Sequence, residues 1–437
     1  MVPLTKSKKC PIVPYLYAFM ALNYIWILFF IIGFTVGLLK AILLGQSGLL
    51  TDMLNGLFDA AKNGFEISLG LTGVMTLWLG IMKIGEKAGV IRVFAKAVSP
   101  LFRTLLKGVP SDSPAYGSVM MNLSANMLGL DNASTPLGLK AMGELQELNP
   151  QKETASDAQI MFLVLNTAGI TLIPTSVIAI RQTIAMQQHL TGFNAADIFL
   201  PTLIATFIAF ISGIIIVAIY QRINLFRLPL LVFIGGFCGL IALLYYTLAQ
   251  LPPDKMNNII GAIGSGVILF IVVLFITAGF IKRQNVYNNF VDGAKEGFNV
   301  AIRIIPYLVA MLAAISVFRT SGCMDFIING IGHLAALCGL NTDFVPALPV
   351  AFMKPLSGSG ARGLMVDVMK TYGVGSFQGK LAAIIQGSTE TTFYVLAVYF
   401  GSVQIKNTRH ALACGLIADA IGLIAAIIVG YVFFYHK

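Results

Sequence analysis

Nine stretches of largely apolar residues recur along this 437-residue chain, at roughly 15–44, 66–84, 158–180, 197–220, 228–248, 259–281, 298–318, 380–400 and 411–434. About 20 consecutive apolar residues make a helix long enough to cross the hydrocarbon core of a bilayer. Only 11% of the residues are charged and 57% are hydrophobic, whereas a soluble domain carries about 25% charged residues. A chain so depleted of charge needs lipid as its solvent. The expected fold is an all-α polytopic membrane protein with about nine transmembrane helices.

The net charge of +10 does not point to nucleic acid, because the basic residues cluster in particular connecting segments. Lys83, Lys87, Arg92, Lys96, Arg103 and Lys107 follow the second span. Arg222 and Arg227, Lys282 and Arg283, and Lys406 and Arg409 occupy later connections. Basic connections stay in the cytoplasm, which predicts a cytoplasmic N-terminus and an external C-terminus, with membrane lipid as the first partner. The segment 320–379 runs against this bias, since it would be external yet keeps Lys354, Arg362 and Lys370. Lys6, Lys8 and Lys9 precede the first span in the manner of a signal peptide, but the apolar run is too long for one and reads as a retained anchor. The five cysteines and four histidines are scattered without a CxxC pair, so neither a disulfide framework nor a bound metal is expected.

One connecting segment, 91–107, is amphipathic. Ile91, Phe94, Val98, Phe102 and Leu105 fall near one face and the basic residues elsewhere, the pattern of a helix lying in the membrane interface.

The chain also repeats itself. Asn55–Phe65 (NGLFDAAKNGF) aligns with Asn288–Phe298 (NNFVDGAKEGF), with six of eleven positions identical. After each copy come an apolar span, an amphipathic stretch, a Gly/Ser/Asn-rich segment and a span with a polar centre, in the same order. Five crossings separate the second span from its counterpart, the seventh. An odd number turns the copies upside down relative to each other, the inverted-repeat architecture of many transporters.

The polar residues fall at matched places in the two copies. The first Gly/Ser/Asn-rich segment, Asn122–Met142, holds Asn122, Asn126, Asp131, Asn132, Ser134 and Thr135. There Ser134 or Thr135 is expected to cap a helix whose first turn holds Pro136. Its counterpart, Lys354–Leu364, holds Lys354, Ser357, Ser359 and Arg362 and opens a helix ending near Gly373. Both segments are too broken and polar for ordinary spans, and read as re-entrant hairpins buried in protein or lining a wet cavity. Their helix N-termini would offer free N–H groups to a ligand. The third span carries Asn166, Thr167 and Thr171 before Pro174, and the eighth carries Gln386, Ser388, Thr389, Glu390 and Thr391. In the repeat Asn166 lies on Gln386 and Thr171 on Thr391. Such residues favour unwinding that frees carbonyls and hydroxyls for a solute or ion. A mid-span carboxylate such as Glu390 costs roughly 2.5–3.5 kcal/mol on insertion scales. It should therefore be paired, protonated or facing a cavity, and a proton-coupling role is one use for it.

At these motifs the chain resembles a known family. WLGIMKIGEKAG, NMLGLDNASTPLGLKAM and LNTAGITLIPTSVIAIR are similar to bacterial spore maturation protein A. FVDGAKEGF, IIPYLVAMLAAISVFRTSG and QGSTETTFYVLAVYFG are similar to spore maturation protein B. The resemblance implies a single-chain fusion: an A-like gate repeat over 1–225, a connecting helix within 226–258 and a B-like gate repeat over 259–437. It implies the nucleoside-recognition, or gate, domain, which is shared at superfamily level with concentrative nucleoside transporters and the membrane part of ferrous iron permeases. It also implies a multi-pass protein of the bacterial cytoplasmic membrane. Two departures stand out: Arg362 occupies a position usually small and apolar, and Glu390 stands where the family tends to carry Asp.

The function expected is transport of a small polar or anionic solute, coupled to a proton or another cation, in a chain that also forms homo-oligomers. A nucleoside or nucleobase carrier is the closest alternative, although neither polar core holds an aromatic platform apart from Phe393 and Tyr394. A non-transporting scaffold in envelope or spore maturation is the alternative from another class, disfavoured because a scaffold gains little from duplicated polar cores. An enzyme is not expected, since no HExxH, nucleophile elbow or nucleotide-binding motif appears. No cofactor is expected either.

Overall fold

The computed structural model describes residues 13–129, 131–249 and 253–435, excepting the side chains of 13–22, 131–133, 245, 248, 249, 253, 254, 256–258 and 301. Lys6, Lys8 and Lys9 of the expected anchor lie outside the described residues, as do the side chains of Asp131 and Asn132. Among the described residues there is no strand beyond one isolated bridge between Thr154 and Asn407.

The first half of the chain runs α1 (Val13–Leu43), α2 (Gly48–Lys87), α3 (Val90–Phe102), α4 (Pro114–Met127), α5 (Asp131–Glu147), α6 (Asp157–Thr167), α7 (Thr175–Gln187) and α8 (Phe199–Gln221). A single helix, α9 (Leu228–Ala249), joins it to the second. That half runs α10 (Pro253–Ile281), α11 (Val286–Thr320), α12 (Cys323–Leu337), α13 (Leu348–Met353), α14 (Gly358–Tyr372), α15 (Phe377–Ser388), α16 (Thr392–Ser402) and α17 (Ala411–Phe434). Seven segments among the described residues are long and apolar enough to cross a membrane. The other two expected spans are also helical: 228–248 is α9, and 158–180 is α6 and α7 with an interruption between them. The protein is therefore an all-α polytopic membrane protein. Its outer surface bears apolar side chains such as Leu43, Ile219, Leu228 and Phe280, each more than two-thirds exposed, as a lipid-facing surface requires.

The eleven-residue repeat lies in the first half of each of two very long helices. At 1.5 Å per residue, the 40 residues of α2 extend about 60 Å and the 35 of α11 about 52 Å. Both are longer than a hydrocarbon core of about 30 Å is thick. The two helices pack antiparallel along their length. Gly64 lies against Val309, while Gly297, its equivalent in the repeat, lies against Met75 and Thr76. Thr76 is in turn the equivalent of Val309, so the two contacts exchange under a pseudo-two-fold axis. The absence of a side chain at both glycines lets the backbones meet. At one end of this seam Lys83 pairs with Glu296 at 3.2 Å and Lys87 with Asp292 at 3.3 Å.

The later helices repeat the relation. α8 and α17 run antiparallel, with Gly213 against Ala418 and Gly422 against Ala209. On one side of the protein the two halves are clipped together by backbone. The amides of Lys406 and Asn407 donate to the carbonyl of Glu153, and the amide of Ala155 donates to the carbonyl of Asn407, each at 2.9 Å.

The amphipathic segments differ from each other. The apolar face expected at the membrane interface over 91–107 is taken up by protein: Ile91, Leu101, Phe102 and Leu105 are buried. The Tyr116 hydroxyl on α4 donates to the carbonyl of Ser99 on α3 at 2.6 Å. The counterpart, α12, buries Met324 and Ile328 but leaves Phe326, Leu334 and Leu337 exposed, and so keeps an apolar stripe on its outer side.

Candidate functional site

Each half contains a helical hairpin and a broken helix, and in each the tip of the first is pinned to the break of the second. In the first half α4 and α5 form the hairpin. At 14 and 17 residues, neither reaches across the core at full tilt-free length. The turn passes through Gly129 in the left-handed conformation (φ 71°), and a side chain there would strike the carbonyl of Ile173 at 2.9 Å. α5 begins at Asp131, three residues ahead of the expected cap. Ser134 and Thr135 thus lie within the helix, and Pro136 falls in its second turn. The helix starts early because the turn at Gly129 already reverses the chain.

The first broken helix, α6 to α7, is interrupted over residues 168–174, where Gly169 and Pro174 disfavour helix. The amide of Leu172 in this break donates to the carbonyl of Met127 at the hairpin tip, at 2.9 Å. Asn126 on the hairpin donates to the side-chain oxygen of Asn166 at 2.6 Å. Asn166 in turn donates to the carbonyl of Phe162 at 2.8 Å and accepts from the Tyr399 hydroxyl at 3.4 Å. Its side-chain oxygen thus accepts from both the hairpin and α16, and its nitrogen anchors it to its own helix.

The second half repeats the arrangement with different residues. Here α13 and α14 form the hairpin, and Ser357 caps α14 by accepting from the amide of Gly360 at 3.0 Å. The helix ends at Tyr372, with Gly373 as its cap. The second broken helix, α15 to α16, opens over Thr389–Thr391. The β-branched threonines there take extended backbone, with Thr389 at φ −143° and ψ 171°. The Gln386 side chain donates to the carbonyl of Gly358 at 3.4 Å, and the amide of Phe393 donates to that of Pro355 at 3.2 Å. Asn166 and Gln386, equivalent in the repeat, therefore do equivalent work.

The two breaks meet. The amide of Glu390 donates to the carbonyl of Thr167 at 2.8 Å, so the second break touches the last residue of α6, where the first break begins, through the backbone. Around this crossing are six buried side-chain atoms that have no hydrogen-bond partner among the described residues: Asn122 Oδ1, Ser124 Oγ, Thr202 Oγ1, Gln386 Oε1, Thr389 Oγ1 and Asp419 Oδ1. Other such atoms lie on Glu144, Arg181 and Gln221; the crossing is set apart by gathering hydroxyl, amide and carboxylate oxygens from both halves.

The structure divides the residues singled out in the sequence. Asn122, Ser134, Asn166, Thr167, Lys354, Ser357, Gln386, Ser388, Thr389 and Thr391 are all buried. Asn126, Thr135, Thr171, Ser359 and Arg362 are half-buried. Glu390 is exposed and makes no ion pair with a described residue. Arg362 stands apart from the crossing. It borders a cavity of about 550 Å³ whose lining includes Trp78, Lys83, Arg92, Pro136 and Ser176. It also borders a smaller one of about 280 Å³ shared with Arg303 and Ser359.

Sequence reasoning passed over Tyr399, Thr202 and Asp419. The last had a readable signal, being the lone acidic residue in the apolar run 411–434. Nothing local distinguishes Tyr399 or Thr202 from ordinary packing residues.

Paired hairpins, broken helices and an inverted seam define a duplicated membrane fold with one polar crossing at its centre. The chain belongs to the Gate family, described as nucleoside recognition, whose model matches residues 68–183 and 301–406. Each match covers one repeat from its long helix to its broken helix. The chain is 45% identical to spore maturation protein B of Bacillus subtilis (strain 168) over 172 residues, 39% of this chain and 95% of that protein. It is 39% identical to spore maturation protein A of the same organism over 194 residues, 44% of this chain and 92% of that protein. One polypeptide thus combines an A-like and a B-like protein.

Proposed function

We propose that this protein transports a small polar or anionic solute along a path that passes the crossing of its two broken helices. The observation that carries this reading is the contact between Glu390 and Thr167, ringed by buried polar atoms contributed from both halves. Broken helices at a repeat interface are where secondary transporters hold substrate and ion. A scaffold would gain little from polar groups gathered there from both halves, since burying a polar group is unfavourable unless it is hydrogen-bonded. The preference for an anionic solute is supported by Arg362 and Arg92 along the 550 Å³ cavity, where Lys83 is already paired with Glu86 and Glu296; the volume is within the usual range of about 300–1,000 Å³ for small-molecule sites.

One observation favours a nucleoside as the solute. Trp78 lines that same cavity and offers the aromatic face that neither polar segment supplies. Purified protein in liposomes, exposed to a metabolite mixture containing nucleosides and organic anions, is expected to accumulate members of one class above protein-free liposomes. Internal contents would be read by mass spectrometry. A profile identical to that of empty liposomes sinks the transport reading. Enrichment of nucleosides over anions selects the second solute class.

The same reading places the N-terminus in the cytoplasm of a bacterial cell and the C-terminus outside, supported by the Lys and Arg of the connections after α2, α8 and α10. C-terminal fusions are expected to activate a reporter that works only outside the cytoplasm. Activity confined to a cytoplasmic reporter contradicts this orientation.

A further inference from the structure

Asp419 is the one carboxylate in the 24 residues of α17, and α8, its packing partner, has none between Phe199 and Gln221. It lies about 12 Å along the helix from Ala411 and is 1% exposed. Its Oδ2 accepts a hydrogen bond of 2.6 Å from the Thr392 hydroxyl. Its Oδ1, fully buried, has no partner among the described residues.

Two glycines let the helix breaks approach this carboxylate. Gly415 and Gly422 stand one turn to either side of Asp419 on the same face of α17. A Cβ on Gly415 would lie 2.9 Å from the Thr392 methyl carbon and 3.6 Å from Thr167 Oγ1. One on Gly422 would lie 2.8 Å from the Thr389 methyl carbon. The two glycines therefore admit both helix breaks against the face that carries Asp419. Thr389, 3% exposed, contributes a second buried oxygen without a partner. The last turn of α15 ends in this region; its Ile385 carbonyl accepts from the Ser388 hydroxyl at 2.9 Å, and the carbonyls after it lie beyond the helix's own ladder.

The charges close to Asp419 are those of Lys354, 4% exposed, and Glu390. Among the described residues no group of three or more His, Cys, Asp or Glu could hold a metal ion, so the donor set is one carboxylate with hydroxyls and carbonyls. Hard oxygen donors of low total charge suit a monovalent ion better than a divalent one.

We infer that Asp419, Thr389 and the unwound backbone beside them bind a small monovalent cation of the Na⁺ class. The site lies against the crossing that the transport reading uses, and its consequence, coupling of the cation to the solute, rests on that reading. Binding itself does not, so it is measured without transport. Unfolding of the purified full-length protein in detergent would be followed by heating in NaCl, KCl or choline chloride at equal ionic strength.

The wild type is expected to show a saturable rise in unfolding temperature in NaCl that the other two salts do not give. Asp419→Asn keeps the shape but removes the charge, and should weaken the NaCl midpoint by about tenfold or more, as loss of a charged ligand implies. Thr389→Val, which keeps the branched shape without the hydroxyl, should weaken it less. It also serves if Asp419→Asn does not fold. Asp112→Asn, at an exposed loop carboxylate, should leave the midpoint unchanged. Equal behaviour of the wild type in all three salts overturns the inference, as does an undiminished NaCl effect in both site variants. A stability that follows pH alone, the same in every salt, would make Asp419 a proton site and equally overturn it. Failure of solute uptake with the NaCl effect intact would count against the transport reading and not against this site.

Discussion

Replacing Asp197 by Ala is expected to destabilise the protein by about 3–5 kcal/mol, the usual cost of stranding one partner of a buried ion pair. Asp197 sits between two cations brought from opposite halves. Arg181 of α7, fully buried, binds one carboxylate oxygen, and Lys380 of α15 approaches the other at 3.1 Å. The Arg181 guanidinium also donates to the carbonyl of Ala195 at 2.6 Å and lies 5.0 Å from the Phe193 ring. Lys380 lies 4.3 Å from the ring of Phe434. Without the carboxylate these two cations face each other in a buried setting. The triad also joins the second part of one broken helix to the first part of the other, so its loss should loosen the crossing itself. Denaturation of the purified variant in detergent checks the magnitude. The double variant Arg181→Met, Asp197→Leu should recover part of the loss, because it removes charge and carboxylate together. A cost below about 1 kcal/mol for the single change would put the pair in the class of exposed salt bridges, and would be inconsistent with the burial described.

Gly297→Ala is expected to be the second most damaging of the changes considered, although it adds one methyl group. A Cβ at that position would meet the carbonyl oxygen of Met75 at 2.5 Å and the Cα of Thr76 at 2.8 Å. Both are backbone atoms of α2, which cannot rotate out of the way as a side-chain tip could. The seam must separate locally, and overpacking of this kind costs about 1–3 kcal/mol. Gly73→Ala on α2 provides the contrast. Nothing lies within 4 Å of the added carbon there, so the helix-propensity gain of up to about 1 kcal/mol should appear unopposed. Thermal unfolding of the two variants should therefore move in opposite directions. Equal shifts would mean that the inverted seam does not depend on close backbone approach.

Much of the fold is legible in the sequence because lipid imposes a simple rule on it. Apolar runs near 20 residues mark the spans, and the eleven-residue repeat marks the two helices that form the antiparallel seam. The break at 168–174 is announced by Gly169 and Pro174, and that at 389–391 by its clustered threonines. Other features depend on which face of a helix meets protein, and short-range pattern carries little of that information. The apolar stripe of α3 reads the same whether lipid or α4 covers it. Glu390 and Asp419 are both acidic residues in apolar runs, yet one is exposed at the crossing and the other is buried behind it. The Arg181–Asp197–Lys380 triad joins residues nearly 200 positions apart, and only the assembled fold brings Lys380 to Asp197. Ser134 and Thr135 resemble caps by composition, but the turn at Gly129 starts the helix before them.

The most direct measurement of the central claim is the accessibility of the crossing from the two sides of the membrane. A single cysteine at Glu390, with the five native cysteines replaced, would be exposed in oriented vesicles to a membrane-impermeant thiol reagent, added to one face or the other in separate experiments. A transport path must open to both sides in turn, so labelling is expected from each face. Labelling from one face alone, or from neither, would contradict the account.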